Sequence, residues 1–166
     1  PDRGILVTDG DRPEFTWYDL EGRKVKAIRA EIETRPVTAD LKQTYEDLQR
    51  RRSRENAERT GRPEREFPDY EYADAVGFCR LVTIDDAGYI WCLDVERLDL
   101  HEPGEGWLHH IFDPEGCYLG TAELPSSRSA ISGGRLMAFI EDPETGAQVA
   151  TVFEVIPAAE GLIYPR

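Results

Sequence analysis

Two stretches of this chain repeat one another. Phe15-Thr16-Trp17-Tyr18-Asp19-Leu20-Glu21-Gly22-Arg23-Lys24-Val25 is echoed by His109-His110-Ile111-Phe112-Asp113-Pro114-Glu115-Gly116-Cys117-Tyr118-Leu119. In each, a strand-like run reaches an aromatic residue, Asp-x-Glu-Gly follows, and a second strand-like run begins. The middle is a turn with a physical cause. The aspartate accepts hydrogen bonds from nearby amides, proline presets φ, and glycine takes the positive φ that closes a hairpin. The same punctuation recurs at Asp85-Asp86-Ala87-Gly88 and, one residue longer, at Asp142-Pro143-Glu144-Thr145-Gly146. A repeat of this kind constrains the fold before any other feature does.

The segments around these turns are rich in β-branched and aromatic residues and lie at hairpin distance from one another. They predict strands at 5–8, 14–18, 24–28, 80–84, 89–93, 107–112, 118–124, 135–141 and 148–156. Successive hairpins without intervening helices imply an antiparallel meander. The segments Ser126–Ser129 and Ser132-Gly133-Gly134 read as loops, with no GxSxG elbow and no phosphate-binding glycine pattern.

One segment departs from this pattern. From Pro36 to Pro68 the composition becomes charged and helical, with Thr38 as N-cap and Asp40 at the positive helix end. Leu41, Tyr45 and Leu48 recur at helical spacing, and Gly61, Pro63 and Pro68 end any helix. Eight basic against seven acidic side chains leave this insertion at +1, so the remainder carries −14 of the net −13.

That acidity disfavours a nucleic-acid backbone as partner, since phosphate binding wants a basic face. With 166 residues the chain can bury roughly 70% of its unfolded surface. No apolar run reaches the length of a membrane helix. The chain starts at Pro1 without a signal-peptide pattern, which reads as a processed product or a piece of something longer. The three cysteines, Cys79, Cys92 and Cys117, are odd in number and lack CxxC spacing. They predict no disulfide framework and no zinc site, only small buried thiols in strands.

The run Leu81–Trp91 followed by Ile111–Gly120 resembles one blade of a six-bladed β-propeller of the NHL-like or TolB-like kind found in bacteria. The resemblance implies an all-β fold of four-stranded blades in a partial ring, the C-terminal portion of a longer protein. Residues 4–30 would supply three strands of one blade, 77–124 a complete blade, and 130–156 part of a last one. It implies an extracytoplasmic location, periplasmic, secreted or lipid-anchored, and a binding or interaction scaffold for an unknown protein or small-molecule ligand. Propellers host many unrelated activities, so the likeness says little about function. An alternative is a gluconolactonase-like, metal-dependent hydrolase or lyase whose site lies mostly in further blades. A self-contained β-sandwich with a helical insertion is a third reading.

The sequence assigns no catalytic, cofactor-binding or metal-binding residue. His101, His109 and His110 are the only histidines, and the adjacent pair points to opposite faces of a strand. Asp19, Asp85, Asp113 and Asp142 precede turn glycines and read as turn caps, with no EF-hand loop around them. Asp94 and Glu96 read as a solvated strand end. Arg50, Arg51, Arg52 and Arg54 can be neutralised by Glu46, Asp47, Glu55 and Glu58 at helical spacing. Trp17, Trp91 and Trp107 read as packing between sheets. The loop near Tyr70 and Tyr72, the inserted helix and a central channel are the candidate binding regions.

Overall fold

The computed structural model describes residues 4–64, 71–95, 106–142 and 145–155. Among the described residues the chain is mostly β, with one complete helix. Its strands are β1 (Ile5–Val7), β2 (Glu14–Tyr18), β3 (Lys24–Arg29), β4 (Cys79–Ile84), β5 (Ile90–Asp94), β6 (Trp107–Phe112), β7 (Tyr118–Leu124), β8 (Ser129–Ser132), β9 (Arg135–Glu141) and β10 (Gln148–Glu154). They form three antiparallel sheets, ordered β1-β2-β3, β4-β5-β6-β7 and β10-β9-β8. Each is a meander of sequence neighbours, as the hairpin repeat predicts. Among the described residues the sheets do not close into a ring.

Three hairpins share one turn geometry. Asp19, Asp85 and Asp113 each donate a backbone N–H to the residue four positions on and accept from the glycine three positions on, at 2.9–3.1 Å. This is a type I turn closed by a left-handed glycine, with φ of 80° at Gly22, 88° at Gly88 and 92° at Gly116. Each aspartate side chain also accepts the amide that follows the glycine, from Arg23, Tyr89 and Cys117 at 2.8, 2.8 and 2.7 Å. The fourth turn is wider: Gly146 donates to the Asp142 carbonyl, and the Asp142 carboxylate accepts from Thr145. All four repeated aspartates are therefore turn caps.

The stacking of the sheets follows from strand alternation. Every residue of β5 is buried, because both faces of its sheet are covered. On one face Ile90, Cys92 and Phe112 pack with Phe15 and Ile28 of the first sheet and with Phe78. Phe15 meets Phe112 edge to face at 5.1 Å, an arrangement that adds about 0.5–1.5 kcal/mol beyond area burial. On the other face Trp91 and Leu124 pack with Ile131, Leu136 and Ala138 of the third sheet. The layers are also tied at their turns. Lys26 Nζ donates to the Pro114 carbonyl at 2.9 Å. Asp86 Oδ2 accepts from Ser132 Oγ and the Gly133 amide at 2.8 and 2.9 Å, which holds its carboxyl below the ordinary range.

The segment read as a Ser-Gly-Gly loop is instead a tight hairpin. Ser132 pairs with Arg135, leaving a two-residue turn in which Gly133 and Gly134 take φ of 58° and 69°. Two positive φ values in succession are what a turn matched to strand twist needs, so β8 is a strand.

Residues Glu33–Val76 form a separate compact unit. Its ends are clasped by Val37 N–H to Asp74 O and Val76 N–H to Arg35 O, around a bridge between Pro36 and Ala75. Between them runs α1 (Ala39–Thr60), capped by the Thr38 hydroxyl, which accepts from Leu41, and ended by left-handed Gly61. Of the predicted stripe Leu48 is buried, while Leu41 and Tyr45 are half-buried. The helix lies inside the predicted 36–68, while the compact unit extends beyond that range at both ends.

Gly116 tests this architecture. A Cβ there would meet Ile28 Cγ1 at 2.6 Å on a backbone with φ of 92°. We expect Gly116→Ala to destabilise the chain by about 3 kcal/mol in a denaturant melt, from left-handed strain plus overpacking. The same change at Gly22, where nothing lies within reach of a Cβ, should cost only the conformational part of that amount.

Candidate functional site

The first and second sheets leave a cleft of about 630 Å³ at their turn ends. Its walls include Trp17 and Lys26 from the first sheet and Ile84, Asp86 and Pro114 from the second. Trp17 and Lys26 are cross-strand partners, so their side chains emerge on the same face, toward the second sheet. The Trp17 indole N–H is buried and has no acceptor. An unsatisfied buried donor costs about 1–3 kcal/mol. Beside it the Lys26 ammonium spends one donor on Pro114 O. The cleft thus offers an aromatic wall, a cation and the exposed Asp86 carboxylate, while the Trp17 N–H itself is packed against Gly4.

Asp85 sits in the same wall with both carboxylate oxygens engaged. It accepts from Ala87 and Tyr89 amides through Oδ1 and from Trp91 Nε1 through Oδ2 at 3.0 Å. One carboxylate so fixes both the turn and the rotamer of the tryptophan that faces the third sheet.

A second polar cluster lies deeper, facing the first sheet. His110 Nε2 is 3.0 Å from Asp94 Oδ2, and its Nδ1 is 3.1 Å from the Tyr118 hydroxyl. Asp94 is 2% exposed, so the solvated strand end expected there is corrected: the carboxylate is enclosed and bonded to histidine. It alternates with Cys92 on the covered face of β5, and Cys92 pairs directly with His110. Phe78 stacks on the imidazole at 4.5 Å between centroids. Burial, with the Asp94 charge, raises the Tyr118 hydroxyl above its ordinary 10.0. These groups do not line the cleft. They lock β5, β6 and β7 in register.

His109 lies on the opposite face, with Nδ1 2.8 Å from the Trp107 carbonyl, and burial holds it below the ordinary histidine range. The two histidines therefore do not converge, as strand alternation predicts. His101, Glu96 and Tyr70 lie outside the described residues. Among the described residues no group of three or more potential ligands is placed to hold a metal ion. Among them, too, no helix is long and apolar enough to cross a membrane.

The cysteine expectation is overturned. Cys79 and Cys92 form a disulfide across β4 and β5, with Cα atoms 5.7 Å apart. The register irregularity between Cys79 and Leu81 brings Cys79 onto the same face as Cys92, although the two are not direct partners. Cys117 precedes β7 in the turn and is an exposed free thiol, where a buried strand residue was expected.

Within the arginine cluster Arg50 pairs at the predicted helical spacing, whereas Arg54 reaches a residue beyond the helix. Arg50 bonds Glu46 and Asp47 at 3.0 and 3.3 Å, and Arg54 lies 3.9 Å from Glu64. Tyr72 donates to Glu46 and lies under the Lys42 ammonium, so this ring is engaged within the insertion.

No protein-family model, curated protein or solved structure matches the chain.

Thiol titration of the native chain checks the pairing directly. One reactive thiol per chain, Cys117, is expected before reduction and three after it. Cys92→Ser should cost about 3 kcal/mol of stability, the value for a loop of this length.

Proposed function

We propose that the chain is a ligand-binding scaffold built as an arc of a β-propeller, working outside the cytoplasm, with the cleft between its first two sheets as the binding site. The observation that carries the site is the Trp17 ring beside the Lys26 ammonium on one wall of the cleft. A cleft of this volume is of ordinary size for a small-molecule site. Its chemistry suits a polar ligand that stacks on the indole and presents an oxygen to Lys26. A hydroxylated carboxylic acid, such as a sugar acid, has both features.

The arc reading is supported by three successive meanders stacked face to face, with the central four-stranded sheet covered on both sides. The location is supported by the Cys79–Cys92 disulfide, since such bonds persist in oxidising compartments.

The test is a thermal-shift screen of monosaccharides, sugar acids and small carboxylates, with divalent metals as a separate arm. A sugar acid should raise the Tm of the native chain, and Trp17→Ala and Lys26→Met should each weaken its binding at least tenfold. Absence of any shift, or shifts indifferent to both substitutions, would contradict the cleft. Stabilisation by a divalent metal alone would instead support the metal-dependent hydrolase reading.

A further inference from the structure

Asp94, His110 and Tyr118 form a hydrogen-bonded chain that leads from the interior to the edge of the second sheet. Asp94 is 2% exposed and His110 8%, while Tyr118, on the edge strand β7, is 38% exposed. Asp94 Oδ2 lies 3.0 Å from His110 Nε2, and His110 Nδ1 lies 3.1 Å from the Tyr118 hydroxyl. The other described neighbours of the imidazole are mostly groups that do not titrate. Phe78 stacks on it, Phe112 packs on Tyr118, and Cys92, the cross-strand partner of His110, is held in the disulfide. The first sheet adds Phe15 and Ile28 to this side of the core. Four charged or titratable groups stand near by. Glu123 of β7 is on the same face opposite Leu108, and the His109 ring is on the other face. Exposed Arg80 sits in the irregularity of β4 beside Cys79, the partner of Asp94, and Asp11 reaches Gly77 from the β1–β2 loop.

We propose that the protons held by the Asp94–His110 pair set the direction of the Tyr118 hydroxyl, making it a pH-sensitive contact at the sheet edge. A carboxylate only accepts hydrogen bonds, and each imidazole nitrogen either donates or accepts. With one proton on the pair, the Asp94–His110 bond requires that proton between Oδ2 and Nε2. Nδ1 is then bare, so the Tyr118 hydroxyl donates inward and offers only lone pairs outward. With a second proton, Nδ1 carries hydrogen and donates to the Tyr118 oxygen, so the hydroxyl hydrogen turns outward. The result is the same whichever member of the pair is the formal acid, because interacting groups titrate as a unit. Both states use the same heavy-atom positions. Histidine is the side chain that ordinarily changes charge between about pH 5 and 8. The phenol does not ionise there, since burial and the Asp94 charge hold it above its ordinary 10.0. A group that contacts Tyr118 therefore meets an acceptor at higher pH and a donor at lower pH. The device is independent of the ligand cleft, which these residues do not line.

The experiment is nuclear magnetic resonance of the whole isotope-labelled chain across pH, reading the His110 ring nitrogens and the Tyr118 Cζ carbon. Above the transition Nε2 should be protonated and Nδ1 bare. Below it both nitrogens should be protonated, and the Tyr118 signal should shift with the same midpoint. Asp94→Asn removes the charge that holds the second proton, so it should lower that midpoint by about one pH unit or more in both signals. A proton on Nδ1 above the transition overturns the proposal. So does a Tyr118 signal that does not follow His110, or a His110 that keeps one protonation state until the chain unfolds in acid. An unchanged midpoint in folded Asp94→Asn overturns it too. Far-ultraviolet circular dichroism marks where unfolding begins and shows whether the variant keeps its fold. Should Asp94→Asn fail to fold, the titration of the unmodified chain decides alone.

Discussion

The structure depends on the covering of one strand from both sides. Ile90, Trp91, Cys92, Leu93 and Asp94 alternate between two faces, and each face has a different partner layer. A sheet with one wet face would read apolar-polar along β5. The continuous apolar run Ile90–Leu93 requires a layer on each side. Sheets on either side then inherit one covered and one open face, which is the alternation seen in β9, where Leu136 and Ala138 are buried and Met137 and Phe139 exposed. The disulfide, the Asp94–His110 pair and the Asp85–Trp91 bond all hang from β5. Each fixes a side chain on one of its two faces.

Much of this was legible in the chain. Asp-x-x-Gly works as a turn signal because two separate requirements coincide, an acceptor for free amides and a residue tolerant of positive φ. Gly22, Gly88 and Gly116 meet the second at 80–92°. The helix was equally readable, because Thr38 and Gly61 are chemical stops at its two ends. Only the arrangement of sheets as a propeller arc goes beyond what the strands themselves settle.

What escaped the sequence depends on contacts that spacing does not encode. The Gly133-Gly134 hairpin carried a local signal, paired glycines between alternating apolar residues, hidden by the serines before it. Cys79 and Cys92 do not sit directly opposite one another, so no count of alternation pairs them; the irregularity at Arg80 does. Asp94 looks like a strand end because solvated carboxylates gather there, and only the position of His110 on the neighbouring strand shows that it is enclosed. The cleft is invisible in one dimension for the same reason, since Trp17 and Pro114 belong to different layers.

The central claim, that β5 is the doubly covered centre of a three-layer stack, is tested most directly by native-state amide hydrogen exchange. Its amides at Trp91, Cys92 and Leu93 should exchange only by global unfolding, while those of the outermost strands β1 and β10 exchange far faster. Exchange of β5 at the rate of β1 would contradict the account, because a strand covered on one face only, or a stack that opens readily, would show that pattern.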